Sequence, residues 1–129
     1  MSVIAADIDF FKKVNDSFGH HVGDLVIKDY ALRASHMLRL PDILARFGGE
    51  EFIILLPETG LKEACQVAER IRREVEKRQD KALPPYTVSL GVAVANAGHG
   101  DFSDLQALLA HADAALYKAK QGGRNRVAH

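Results

Sequence analysis

The chain has little of what marks several protein classes. Its only cysteine is Cys65, so an intrachain disulfide framework and a cysteine-based zinc cluster are both excluded. One thiol fits a reducing cytosol, and its place in a helical pattern reads as a small core residue. Charge of either sign is not in excess: 17 Lys and Arg balance 17 Asp and Glu. A protein that coats a nucleic-acid polymer usually carries a basic surplus. The balance argues against such a partner but not against a single nucleotide. It also gives little electrostatic protection against self-association. No apolar run is long enough to span a bilayer. The opening "MSVIAADIDFF" lacks a basic n-region and already holds acids, unlike a signal peptide. These readings predict a cytoplasmic segment with no membrane contact of its own, although a parent polypeptide can be membrane-anchored.

What remains is an ordinary globular composition, 47% hydrophobic and 26% charged over 129 residues. That length suits one domain with one sizeable core. Val3 to Ile8 reads as a buried strand running into acids. A short helical piece and a break at Gly19 follow. Apolar residues from Val22 to about Leu38 then recur at helical spacing, and Pro41 closes that stretch. "ILARF" and "EFIILL" flank Gly48-Gly49, a hairpin signal because glycine takes the positive φ of tight turns. Thr59-Gly60 opens a further helix, with Ala64, Val67, Ala68, Ile71 and Val75 on its apolar face. "DKALPP" reads as a loop and "YTVSLGVAVA" as a strand. "NAGHGDFS" is another loop, where Ser103 or Asp104 can cap a last helix that ends at Gly122-Gly123. The order β-α-β-β-α-β-α predicts an α/β (α+β) domain with a ferredoxin-like or palm βαββαβ core. Its sheet is expected to be mostly antiparallel and flanked by helices.

Two acid clusters stand at comparable places. Asp7-Ile8-Asp9 ends the first strand, and Glu50-Glu51 lies at the hairpin tip. In such a sheet the first strand and this hairpin can be neighbours, which would bring the two clusters together. Carboxylates from adjacent strand ends suit Mg²⁺, which takes a few acidic oxygens and keeps positions for water and phosphate. Two such ions can clamp the attacking and leaving oxygens of a phosphoryl transfer. The plainer alternative is that acids at strand ends are merely solvated. The turn glycines are either a generic turn or room for a flat ligand at the backbone. Phe10-Phe11-Lys12 opens the short helix, where free backbone N–H groups can cradle phosphate. Lys120 and Arg124 are either a basic helix end, which suits the helix dipole, or two cations for a triphosphate. The residues by themselves favour the basic helix end.

"GGEEF" behind "RF", "DIDFFKKVNDSFGHHVGD" upstream, "TVSLGVA" later and "ALYKAKQGGRNRV" at the end occur in one order across nearly the whole chain. Together they resemble the GGDEF family of diguanylate cyclases, in its GGEEF variant. The resemblance implies condensation of two GTP into cyclic di-GMP with release of two pyrophosphates, in a site formed between two facing copies. It implies two Mg²⁺ per active site, with Mn²⁺ as an alternative. Asp7, Glu50 and the carbonyl of Ile8 match the metal ligands. Glu51 matches the second acid, for the other metal or for activating the 3′-OH. Gly48 and Gly49 give the nucleotide room, and Asn15 and Asp24 match the guanine readers. The backbone of Phe10, Phe11 and Lys12, with Lys120 and Arg124, matches the triphosphate contacts. Arg39-Leu40-Pro41-Asp42 stands where the family has its inhibitory R-x-x-D site for the product. Members usually carry a further helix upstream of the first strand, so the resemblance also implies an N-terminally truncated domain over 1–129 with some apolar sheet surface exposed. The alternative is a module that binds GTP or cyclic di-GMP without turnover. A weaker one is a dimerisation domain.

Overall fold

The computed structural model describes residues 1–77, 82–95 and 102–129, with the backbone alone for 102–104. Five strands form one sheet: β1 (Ser2–Ile8), β2 (Ile43–Arg46), β3 (Glu51–Leu56), β4 (Val88–Val94) and β5 (Val127–Ala128). Their order is β2-β3-β1-β4-β5. Among the described residues only the β4–β5 pairing is parallel. Four helices accompany the strands among the described residues: α1 (Phe11–Phe18), α2 (His20–His36), α3 (Leu61–Lys77) and α4 (Phe102–Gln121). This is the expected α/β fold with a mostly antiparallel sheet.

β1 is central and buried on both faces, so its sequence is a continuous apolar run rather than an alternating one. Ile4, Ala6 and Ile8 face the larger core with Val26, Tyr30, Phe52, Ile54, Leu56 and Ile71. Val3 and Ala5 face α4 through Leu108, Ala112 and Leu116. The Tyr30 and Phe52 rings meet at 4.9 Å, tilted by 48°, a favoured aromatic geometry. α4 lies so close to β4 that a Cβ on Gly91 would stand 2.1 Å from the Leu116 amide nitrogen and 2.4 Å from the Ala112 carbonyl oxygen. Glycine is required there by contact, not by dihedral angle. On β2, Ile43 is exposed, as is Phe47 just beyond it.

Three details depart from the sequence-based expectation. α2 begins at His20 and ends at His36, two residues earlier at each end than its apolar pattern, because Gly19 (φ 91°) breaks the chain immediately before it. Arg39 and Pro41 therefore lie beyond the helix, in the turn before β2. β5 was not foreseen, since two residues show no periodicity. It pairs with Leu90 and Gly91. Residues 96–101 of the loop assigned to "NAGHGDFS" lie outside the described residues, and α4 already begins at Phe102, so Ser103 and Asp104 fall within the helix and not at its cap.

Candidate active site at the hairpin tip

The β1–β3 register places Asp7 opposite Glu51, and the β1–β4 register places it opposite Ser89. The Ile8 amide donates to the Glu50 carbonyl at 3.4 Å, which sets the Glu50 and Ile8 backbones side by side. The two acid clusters thus converge as the topology requires. Between them the hairpin is tight: Phe47 N–H donates to Glu51 O at 2.7 Å. Arg46 Nε donates to the Gly48 and Gly49 carbonyls at 3.3 and 3.0 Å. Gly48 has φ 84°, and neither Gly48 nor Gly49 has an atom within 4 Å of where a Cβ would be. The turn needs one glycine for its dihedral, and the two together leave open space over the backbone.

Asp7 is the most constrained acid. Its Oδ2 accepts from Lys120 Nζ at the end of α4. Its Oδ1 is buried without a protein hydrogen bond. Burial pushes the Asp7 carboxyl above the usual range, with Glu50 and Asp9 adding to the rise, and the Lys120 hydrogen bond and charge only partly offset it. Glu51 is also raised, by burial first, then by Asp113 on α4 and by Asp7. A buried carboxylate oxygen without a partner is costly. It is chemically suited to a divalent cation, which would supply the missing contact. Asp7, Glu50 and the Ile8 carbonyl fit an ion that keeps water and phosphate oxygens as further ligands. Among the described residues no group of three or more His, Cys, Asp or Glu is arranged to hold a metal by itself.

Asp9 parts company with its cluster. It is buried and saturated by donors: Ser89 Oγ at 2.6 Å, Thr87 Oγ1 at 2.7 Å and the Asn125 amide at 3.0 Å. Phe10 follows in the left-handed region (φ 55°). The first helical bond of α1 runs from Val14 N–H to Phe10 O, so the N–H groups of Phe11, Lys12 and Lys13 precede the helical ladder and point out of the helix end. The Phe11 ring is buried in the core while Phe10 is exposed. Arg124 lies over the Phe10 ring at 4.6 Å, within cation–π range. Lys120 and Arg124 therefore both border this helix end, Lys120 through Asp7 and Arg124 through Phe10.

Asn15 lies against Gly23: a Cβ there would be 1.8 Å from Asn15 Oδ1. That contact sets the Asn15 amide beside the start of α2, one residue from the exposed Asp24. The Arg39 guanidinium donates to both Asp42 oxygens at 2.9 and 3.3 Å. It also reaches Pro57 O and Thr59 Oγ1, each at 2.9 Å. Burial raises the Asp42 carboxyl, but the Arg39 bonds and charge outweigh it and hold it below the ordinary value. This pair is separate from the hairpin tip. Cys65 is partly buried, and burial raises its thiol, which is the behaviour of a packing residue and not of a nucleophile. Sequence reasoning missed Asp113, Arg46 and Asn125. Helical spacing gives no sign that Asp113 faces Glu51, and the partners of Arg46 and Asn125 are set by turns.

A βαββαβ-type sheet thus gathers carboxylates at one hairpin tip, beside an uncapped helix start and two cations. Residues 1–126 match the family described as "Diguanylate cyclase, GGDEF domain", and the chain belongs to that family. It is 44% identical over 132 residues to the response regulator PleD of Caulobacter vibrioides, covering 98% of this chain and 28% of the relative. It is 42% identical over 130 residues to diguanylate cyclase A of Treponema denticola, covering 98% of this chain and 34% of that protein. The chain thus spans about a third of the length of these relatives. Among solved structures it resembles the GGDEF domain of DgcB from Caulobacter crescentus in complex with c-di-GMP, with a TM-score of 0.88, 37% identity and coverage of 98% of this chain and 75% of that one. The active GGEEF domain of a diguanylate cyclase from Vibrio cholerae also gives a TM-score of 0.88 at 37% identity, covering 98% and 80%. Among the described residues no helix is long and apolar enough to cross a membrane.

Proposed function

We propose that this domain condenses two GTP into cyclic di-GMP and two pyrophosphates. The observation that carries the reading is Asp7. Its buried Oδ1 lacks a protein partner, and it lies on the strand beside the Glu50-Glu51 hairpin and one turn from the start of α1. Asp7, Glu50 and the Ile8 carbonyl would hold Mg²⁺, or Mn²⁺ in its place, and the ion would supply charge stabilisation at the reacting phosphate. The N–H groups at the start of α1, with Lys120 and Arg124, receive the triphosphate. Asn15 and Asp24 read guanine, and an Asp carboxylate that accepts from two guanine N–H donors rejects adenine, which lacks that pair.

The chemistry joins two copies of the domain. The 3′-OH of one GTP attacks the α-phosphorus of the other, a new P–O bond forms and the bond to pyrophosphate breaks. Repetition in the opposite sense closes the ring. Glu51 suits the proton acceptor, since its raised pKa moves it toward neutrality. Each copy holds one GTP, so the rate should rise steeply with protein concentration until the dimer is filled. Pyrophosphate and cyclic di-GMP should appear in a two-to-one ratio. A rate strictly proportional to protein at every dilution would contradict the two-copy site.

Arg39 and Asp42 support a second element, product recognition away from the hairpin. A guanidinium held by Asp42, Pro57 and Thr59 is presented at the surface in a form suited to guanine O6 and N7. This favours product feedback. It is also the observation that favours a binding module without turnover.

A further inference from the structure

Three of the four non-glycine residues with positive φ among the described residues are Phe10, Arg124 and Asn125. Strain of this kind persists only where surroundings over-determine it, and here the three touch one another through a single buried acid. Asp9 accepts the Asn125 amide at 3.0 Å and is itself fixed by Ser89 and Thr87. The Asn125 side chain is clamped from α3: its Oδ1 accepts from Arg72 at 3.0 Å and its Nδ2 donates to Glu76. Arg124, the next residue back, then has its guanidinium over Phe10, at the helix start where the phosphates would lie.

We propose that Asp9 and Asn125 form a latch that positions Arg124 for the triphosphate of GTP. Asp9 does not touch the nucleotide. It acts by holding a strained turn whose product is one cation at one place. The inference rests on the reading of Arg124 as a triphosphate contact, so the test separates the two.

The assay measures affinity for 3′-deoxy-GTP, which cannot cyclise, and for GMP, which lacks the β- and γ-phosphates, with Mg²⁺ present. Arg124→Ala is the reference and should weaken 3′-deoxy-GTP about tenfold or more, the scale of a lost charge-assisted hydrogen bond. Asp9→Ala should weaken it by a similar factor, leave GMP unchanged, and add little in the Arg124→Ala background. Asp9→Asn should bind like the wild type, because its amide oxygen can take the Asn125 N–H while its NH₂ turns to Ser89 Oγ. If Asp9→Ala does not fold, Asn125→Ala takes its place: it keeps the backbone N–H to Asp9 but frees the turn from Arg72 and Glu76 on α3, and should likewise weaken 3′-deoxy-GTP and spare GMP. Wild-type 3′-deoxy-GTP affinity in the alanine variant, an equal loss for GMP, or full additivity with Arg124→Ala would overturn the latch. No effect of Arg124→Ala itself would instead overturn the triphosphate assignment, and the latch with it.

Discussion

Gly23→Ala is a sharp perturbation because its effects on stability and on ligand binding separate. The substitution lies in the first turn of α2, packed on α1. The new methyl would stand 1.8 Å from Asn15 Oδ1, 3.0 Å from its Cγ and 3.3 Å from Phe11 Cζ. The Asn15 amide must swing away by more than an ångström, while the Phe11 ring gives by a few tenths. An alanine in place of glycine favours the helix by up to about 1 kcal/mol. A displaced rotamer costs about 0.5–1.5 kcal/mol, so net stability should stay within about 1 kcal/mol of the wild type. If Asn15 reads guanine, the swing removes one neutral hydrogen bond to the base, worth about 0.5–1.5 kcal/mol. That is a loss of roughly two- to tenfold in affinity. Calorimetric titration with 3′-deoxy-GTP, beside a urea melt, reads both quantities. Asn15→Ala should give a similar loss, and the double variant should be no weaker than either alone. A folded Gly23→Ala protein with wild-type affinity would refute the placement of Asn15 at the base.

Asp7→Asn should abolish metal-dependent nucleotide binding, yet leave the metal-free fold as stable or up to about 1 kcal/mol more stable. The sign follows from its raised carboxyl: the ionised form weighs against the fold at neutral pH, and that penalty lifts as pH falls through the folded value. The gap between variant and wild type in urea melts should therefore narrow on acidification, and a widening gap would contradict the reasoning. Gly91→Ala drives a methyl into the α4 backbone and should cost about 3 kcal/mol, read as a lower urea midpoint. An unchanged midpoint would contradict the packing. Arg39→Ala leaves the Asp42 side chain, only 2% exposed, without its guanidinium, so the protein should stay folded but melt earlier, by about 1–3 kcal/mol, while cyclic di-GMP binding by calorimetry should be lost. Unchanged binding would refute the product site.

The sequence made the sheet legible where its residues obey a short period or a forced turn. β1 reads directly because a strand buried on both faces is a pure apolar run, and the hairpin reads from Gly48. The convergence of Asp7 with Glu50 and Glu51 follows from topology once β1 and the hairpin are neighbours. Adjacency in sequence misled at Asp9, grouped with Asp7 as one acidic cluster. One residue past the strand end, it turns to Thr87, Ser89 and Asn125, contacts up to 116 residues distant in the chain. Lys120 and Arg124 showed the charge but not the geometry: one is held by Asp7 and the other by an aromatic face. β5 and the Asp113–Glu51 approach have no local signature, because both depend on where α4 docks.

Turnover of GTP is read by incubating the protein with GTP and Mg²⁺ and separating the nucleotides by chromatography. The wild type should yield cyclic di-GMP, and Glu50→Gln, which keeps the hairpin but removes one carboxylate from the metal set, should yield none. GTP that binds the wild type and stays intact would contradict the cyclase reading, and so would equal product from Glu50→Gln.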